Sequence, residues 1–451
     1  MSESILISST KLLILSLSLA ILGLTSPIWA KENPPPKKIV ILYATIGGGH
    51  KAAAEAIQSQ IQDSGVEVEI VLIDVLAKEY LPLFIAEGTF DKWYQRIIRT
   101  SATGYHAMFH VNHFLRSARF FGALSLFDQL ILRLRLAYSN NPAALTKLLK
   151  KLNELKPDLI FSTFNHTTED IAAWRKLGLL PPETKLASTL TDYVFLPDYY
   201  SMLAENTDAI FFPSADLLEK YKVAGVPLEN AHVSGIPVDP AFSEKMTEEQ
   251  RLEILEGLGL KPNLPTVFII SGRAGHANFE KIVKGFYKDF PQEVQLVVAT
   301  GNNRDARQAL EKIASQNNGN SHVHLIVKAT ISNTEVNQYM KASELVVTKA
   351  GGLSATQITA VGVPVILLDN NGGQEVHNIR FFEELGAAKR LRDQSRVAQL
   401  THRILNTDAA AKMIASQYQI SASMENPGLV PWVKNALSLT GDPCAGGFAK
   451  K

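Results

Sequence analysis

Four stretches of this 451-residue chain combine residue types and spacings that can do chemistry. The first is Gly47-Gly48-Gly49-His50, which ends an apolar run and opens a helical stretch. Glycines let a backbone approach a ligand closely, and the helix behind them presents free N–H groups and the positive end of its dipole. A phosphate or an oxyanion suits such a turn. The spacing is neither G-x-G-x-x-G nor a P-loop, because no Gly-Lys-Ser/Thr follows. His50 stands where the helix begins. An imidazole there can take a proton from a hydroxyl nucleophile, and the dipole helps to keep it neutral. The plain alternative is a tight strand–helix turn carrying a surface histidine.

The second stretch is Lys349-Ala-Gly-Gly-Leu-Ser-Ala-Thr356, again between a strand and a helix. Its backbone amides and the Ser354 hydroxyl could cradle a diphosphate; an ordinary strand–helix turn is the alternative. The third is Gly372-Gly-Gln-Glu375 with His377 and Asn378, polar groups behind an apolar strand that fit sugar hydroxyls or a solvated loop. The fourth runs from Phe84 to Arg135. It interleaves aromatics such as Trp93, Tyr94 and Phe109 with Arg96, Arg99, Arg116 and Arg119, and acids are sparse. That mixture suits a membrane surface with anionic lipids. Single-stranded nucleic acid or amphipathic helices with core aromatics would read alike.

Apolar strands must position these turns. Lys38–Thr45 is a short β-rich run, as expected for a parallel sheet covered on both faces. A helix over Lys51–Asp63 and a strand at Val66–Ile73 follow, which opens a doubly wound unit. Further strands are predicted at Asp158–Ser162, Lys185–Thr189, Ala209–Phe212 and Ala231–Ser234. A second unit begins near Pro265. Its strands are predicted at Thr266–Ser271, Gln295–Thr300, His322–Val327, Leu345–Thr348 and Pro364–Leu368, and Gly272-Arg-Ala-Gly275 follows the first of them. The punctuated segment Gly235–Phe242 is the expected boundary. The fold class is therefore α/β, with two Rossmann-like domains facing a cleft. The expected domains are 37–238, 239–406 and a C-terminal helical segment with tail over 407–451.

A chain of this length exceeds what one core usually serves. Lys plus Arg (45) nearly balance Asp plus Glu (44), so no global basic field argues for nucleic acid. Cys444 is the single cysteine, which excludes an intramolecular disulfide and a cysteine-rich metal site. The N-terminus carries the apolar run Leu12–Leu24, then Lys31, Lys37 and Lys38. Residues 1–30 read as a signal peptide cleaved near Ala30 or as an uncleaved anchor. The positive charges after the run would leave the body of an anchored protein in the cytoplasm.

Ile41–Ile57, Thr189–Tyr193 (TLTDY), Val233–Phe242 (VSGIPVDPAF) and Thr348–Ala388 resemble the monogalactosyldiacylglycerol synthases, and more closely the bacterial processive diacylglycerol glucosyltransferases. The resemblance runs from about Lys37 to Asn406 and extends, more distantly, to the N-acetylglucosaminyltransferase of peptidoglycan lipid intermediates. It implies a GT-B fold and inverting, metal-independent transfer from a UDP-sugar to diacylglycerol, with no cofactor. It also implies a role for His50, after Gly47, Gly48 and Gly49, in acceptor activation. Gly351, Gly352 and Ser354 match the diphosphate-facing turn, and Gln374 and Glu375 the pair that reads sugar hydroxyls. Ile331 falls where backbone groups pair with uracil. Gln357 stands where the family usually has a ribose-binding Glu, and Thr330 where it usually has an aromatic near the base.

With no Asp-x-Asp run at a strand end, the leaving diphosphate would be met by the helix N-termini behind Gly272–Gly275 and Gly351–Ser354, with Arg273 as a partner. The expected partners are thus a UDP-sugar, diacylglycerol or a related lipid, and an anionic membrane, with no nucleic acid. Glucose and galactose remain open at this point. So do another lipid-linked acceptor, as in peptidoglycan assembly, and a non-catalytic relative that binds sugar nucleotide or lipid.

Overall fold

The first sheet grows from strands that are apolar on both faces. In β1 (Lys37–Tyr43) the four residues Ile39–Leu42 are fully buried, which only a strand covered on both sides can be. A computed structural model of the chain describes residues 35–45, 48–80, 142–195, 206–273, 275, 277–317, 321–369, 374–424 and 428–439. For residues 142–146, 166, 423 and 424 it describes the backbone alone. The N-terminal segment 1–30, the aromatic and basic stretch Phe84–Arg135, Gly47, Gly372, Gly373 and the tail from Gly441 lie outside the described residues.

Beside β1 run β2 (Val68–Asp74), β3 (Leu159–Ser162), β4 (Lys185–Thr189), β5 (Ala209–Phe212) and β6 (Ala231–Val233), in the parallel order β2-β1-β3-β4-β5-β6. The described helices of this half are α1 (Gly49–Asp63), α2 (Pro142–Leu155), α3 (Asn165–Lys176) and α4 (Ala215–Val223). In α1 the small residues Ala53, Ala54 and Ala56 are buried with Ile57 and Ile61, so the helix lies close on the sheet.

The second sheet contains β7 (Thr266–Ile270), β8 (Val294–Ala299), β9 (Val323–Lys328), β10 (Leu345–Lys349), β11 (Val365–Leu368) and β12 (Lys389–Leu391). Its order is β12-β11-β10-β7-β8-β9, parallel throughout. The interleaved helices are α5 (Glu248–Gly257), α6 (Phe279–Asp289), α7 (Arg304–Gln316), α8 (Asn333–Ala342), α9 (Gly352–Val361), α10 (Glu375–Glu384) and α11 (Val397–Leu405). Side-chain caps set several of their starts, including reciprocal boxes Thr247/Gln250 at α5 and Ser332/Glu335 at α8. The edge strand β12 was not expected from sequence; three residues reading Lys-Arg-Leu carry no strand period.

Two parallel sheets of six strands with alternating helices make a two-domain GT-B fold, as expected. In each sheet the order in which strands are added reverses between two central neighbours: β1 and β3 in the first, β7 and β10 in the second. Loops leaving such a pair diverge and open a crevice at the carboxyl ends of the strands.

Two segments cross between the halves. After β4 the chain reaches out, and Tyr193 is buried in the hydrophobic core of the second sheet. At the other end, α12 (Ala409–Met424) buries Met413 and Ile420 in that same core. The next helix, α13 (Leu429–Ala436), instead packs Leu429 and Val433 against Ile39, Ile41, Phe161 and Phe211 of the first sheet. Helices α12 and α13 thus divide between the two cores. Among the described residues no helix is long and apolar enough to cross a membrane.

Candidate active site

The approach to the glycine turn is pinned from β2. Asp74, its last residue, accepts from the Thr45 amide at 3.2 Å, from the Thr45 hydroxyl and from the Leu76 amide at 3.0 Å. Gly48 then takes φ 97°, a left-handed conformation that costs a residue with a Cβ, and caps α1. The turn delivers His50 to the crevice between β1 and β3. There its Nδ1 lies 2.6 Å from the carbonyl oxygen of Thr163, just after β3, while the Thr163 hydroxyl donates to the His50 carbonyl at 3.0 Å. The Phe164 ring stands edge-on at 5.1 Å.

A carbonyl can only accept, so Nδ1 carries the proton and the basic lone pair of the neutral ring is on Nε2. Burial lowers the pKa below the ordinary 6.5, with the Thr163 carbonyl opposing in part. The ring is a neutral base at pH 7, its tautomer set by the Thr163 carbonyl, with the Thr191 hydroxyl 3.3 Å from the same nitrogen.

A cleft of about 450 Å³ joins this crevice to the one between β7 and β10. It is lined by Gly48, Gly49 and His50 from the first half. From the second come Gly272 and Arg273 after β7, Ile331 before α8, Gly351, Gly352, Ser354 and Gln357 at and within α9, and Gln374 and Glu375 at the start of α10. His50, Arg273, Ile331, Ser354, Gln357, Gln374 and Glu375 therefore face one cavity with these glycines, whereas His377 and Asn378 do not line it. Gln357 is buried and donates to Asn333 Oδ1 at 3.1 Å, and the Thr330 hydroxyl donates to Asn302 at 2.9 Å.

Lys349 and Asp192 also line the cleft, charged residues to which the sequence reading gave no role. Lys349, the last residue of β10, pairs with Glu375 at 2.5 Å. Asp192 belongs to the arm after β4; its Oδ1 accepts from Asn378 Nδ2 at 2.8 Å, and the Gly352 amide donates to it as well. Burial pushes the Asp192 carboxyl up from 3.8 to about 6. The Asn378 hydrogen bond and the Lys349 ammonium pull the other way, and the Glu375 charge adds to the rise. Both residues follow strand ends, Thr-Asp-Tyr after β4 and Lys before a glycine turn, and that position was the available signal.

Asn378, grouped from sequence with groups that fit sugar hydroxyls, has another task. It is fully buried, accepts from the Tyr193 amide at 2.7 Å and donates to Asp192 and to the Ala350 carbonyl, both at 2.8 Å. The Tyr193 hydroxyl pairs with Thr356 at 2.8 Å, and its ring stacks on Phe381 at 4.4 Å and meets Phe382 edge-on at 4.8 Å. This arm ties the first half to α9 and α10. Gly352 is small for the same reason: a Cβ there would lie 2.2 Å from the Thr191 carbonyl oxygen. Among the described residues no three His, Cys, Asp or Glu side chains cluster to hold a metal ion.

Comparison with known proteins fits this geometry. Residues 50–238 match the monogalactosyldiacylglycerol (MGDG) synthase family, and residues 266–427 the glycosyltransferase family 28 C-terminal domain. The chain is 25% identical over 353 residues to a processive diacylglycerol beta-glucosyltransferase of Bacillus subtilis, spanning 78% of this chain and 82% of that protein. It is 26% identical over 385 residues to a probable chloroplastic monogalactosyldiacylglycerol synthase of Nicotiana tabacum, spanning 82% and 64% respectively. Among solved structures, Acinetobacter baumannii MurG superposes with a TM-score of 0.52 at 14% identity over 90% of this chain and all of that one. The S. aureus MnaA–UDP complex gives 0.54 at 14% identity, over 90% and 98%. These two likenesses are of fold.

Proposed function

We propose a reaction for the chain, whose residues 50–238 match the monogalactosyldiacylglycerol synthase family and 266–427 the glycosyltransferase family 28 C-terminal domain. It is a hexosyltransferase that moves glucose or galactose from a UDP-sugar to the hydroxyl of diacylglycerol at a membrane surface. The anomeric centre inverts, and neither metal nor cofactor takes part. The observation that carries this reading is His50, a base with its proton held on Nδ1, sharing one cleft with the N-terminus of α9.

The acceptor oxygen attacks the anomeric carbon in line and gives its proton to His50 Nε2. The bond from that carbon to the diphosphate oxygen breaks, and its electron pair leaves with UDP. Amides at the start of α9 and the cation of Arg273 face the charge that develops. Gln374 and Glu375 take sugar hydroxyls, and the Ile331 backbone takes the uracil. Attachment to anionic lipid rests on the composition of Phe84–Arg135 and of the N-terminal segment.

The test supplies the full-length protein with labelled UDP-glucose or UDP-galactose and diacylglycerol dispersed with anionic lipid, with and without EDTA. Labelled glycolipid of inverted configuration, formed equally in EDTA, is expected. His50→Ala should lower turnover about a hundredfold or more while UDP binding stays near normal. No transfer to diacylglycerol, or label appearing only on a polyprenyl-linked acceptor, would refute the acceptor. Undiminished turnover in His50→Ala would remove His50 from the mechanism.

A further inference from the structure

Lys349 is an unusual residue to find at the end of a central buried strand. It closes β10, between β7 and β11, at the reversal point of the second sheet. Its side chain is 23% exposed and that of its partner Glu375 only 10%. The stem lies over the first glycine turn, because a Cβ built on Gly272 would sit 2.9 Å from Lys349 Cε. The ammonium lies beside the second turn, 3.5 Å from where a Cβ on Gly351 would be. It is therefore held where the β7 turn, the β10 turn and the start of α9 converge. Arg273 lines the same cleft. A lysine whose purpose was to pair with a surface acid would not be threaded between two glycine turns at the mouth of a helix N-terminus.

The carboxylates facing this ammonium are Glu375 and Asp192. Asp192 already accepts from Asn378 and from the Gly352 amide, and Glu375 accepts from Lys349 at 2.5 Å. Glu375 is also the group expected to bind donor hydroxyls. The ammonium occupies Glu375 Oε1 and orients the carboxylate toward β10, so a sugar hydroxyl that needs that oxygen or another orientation competes with it.

We propose that Lys349 changes partners on donor binding, leaving Glu375 for the diphosphate of the nucleotide sugar and thereby freeing the carboxylate for the sugar. This rests on the reading of the cleft as a nucleotide-sugar site. In the transfer step the ammonium donates a hydrogen bond to the diphosphate oxygen that receives the electron pair of the broken bond to the anomeric carbon. The acceptor proton goes to His50, so charge and protons balance without a further reactant. A point charge on a flexible stem suits this exchange between two anions.

The experiment compares binding of UDP and of uridine to the full chain and to Lys349→Met, Lys349→Arg and Glu375→Gln, by calorimetry at two salt concentrations. Lys349→Met should weaken UDP about tenfold or more and leave uridine within about twofold, because only UDP presents the anion. Lys349→Arg should keep most of the UDP affinity, and Glu375→Gln should bind UDP as well as or better than the parent while turning over more slowly. Equal losses for UDP and uridine in Lys349→Met, or no loss for either, would overturn the proposal. If the parent chain binds neither ligand, the nucleotide-sugar reading itself fails, a result distinct from a parent that binds UDP with no help from Lys349.

Discussion

Adding one methyl group at Gly352 tests the contact that closes the cleft. An alanine Cβ there would lie 2.2 Å from the Thr191 carbonyl oxygen, 3.0 Å from Asp192 Cα and 3.0 Å from Asp192 Oδ1. The nearest obstacle is backbone, and the methyl sits on the first residue of α9, so no side-chain rotation relieves it. Ordinary contact distances require the two segments to part by roughly 1 Å. That displacement strains the Asn378 bonds to the Tyr193 amide and to Asp192, and the Tyr193–Thr356 pair. At about 0.5–1.5 kcal/mol for each neutral bond and about 1.5–3 for the one to the carboxylate, losing all three costs roughly 2.5–6 kcal/mol. The neighbouring Gly351→Ala is the control. Its Cβ would meet only Lys349 Nζ at 3.5 Å and Ser354 Oγ at 4.0 Å, both side-chain atoms at ordinary contact distance, and its φ of −69° suits any residue. Urea unfolding should show a loss of about 3 kcal/mol or more for Gly352→Ala and under about 1 kcal/mol for Gly351→Ala. Turnover should fall about a hundredfold in Gly352→Ala, because a misplacement near 1 Å has that consequence. Parent-like stability in Gly352→Ala, or equal losses in both variants, would refute the interdomain contact as the reason for this glycine.

Three further outcomes follow from the same geometry. The lowered pKa of His50 keeps the ring neutral to lower pH, so the acid limb of kcat/KM attributable to it should lie below pH 6.5, and a limb centred above 6.5 would contradict the burial argument. The Asp192 carboxyl is held at about 6 against an ordinary 3.8, so its contribution to stability is fully present below pH 3.8 and is lost as pH rises through about 6. Asp192→Asn should therefore gain on the parent by up to about 3 kcal/mol of unfolding free energy between pH 4 and pH 8; a pH-independent difference would show that the carboxylate is not strained. Tyr193→Ala should cost about 3–5 kcal/mol by emptying a site between Phe381 and Phe382, whereas Tyr193→Phe should cost about 1 kcal/mol for the bond to Thr356, both read from denaturant midpoints.

The two sheets and their glycine turns were legible in the amino-acid sequence because the signals are local. A parallel strand buried on both faces must be a short continuous apolar run, as in Ile39–Leu42, and the reversal after it must use small residues. A ligand turn between strand and helix is written in adjacent letters, so Gly48–His50 and Gly351–Ser354 could be found without knowing what they face. Pairings across long separations carry no such period. The Thr163 carbonyl that sets the His50 tautomer is 113 residues away, and Asn378 meets Asp192 across 186. Nothing in the pattern of Thr-Asp-Tyr says that Tyr193 leaves its own sheet for the core of the other, because an aromatic residue reads the same in either. The return of α13 to the first sheet is hidden likewise: its apolar face fits any apolar surface, and topology alone selects which. Residue types and spacing determined which groups can do the chemistry. Only the packing of one domain on the other decided that Lys349, Glu375 and Asp192 share a buried site, since the cost of burying charge depends on where the partners are in space.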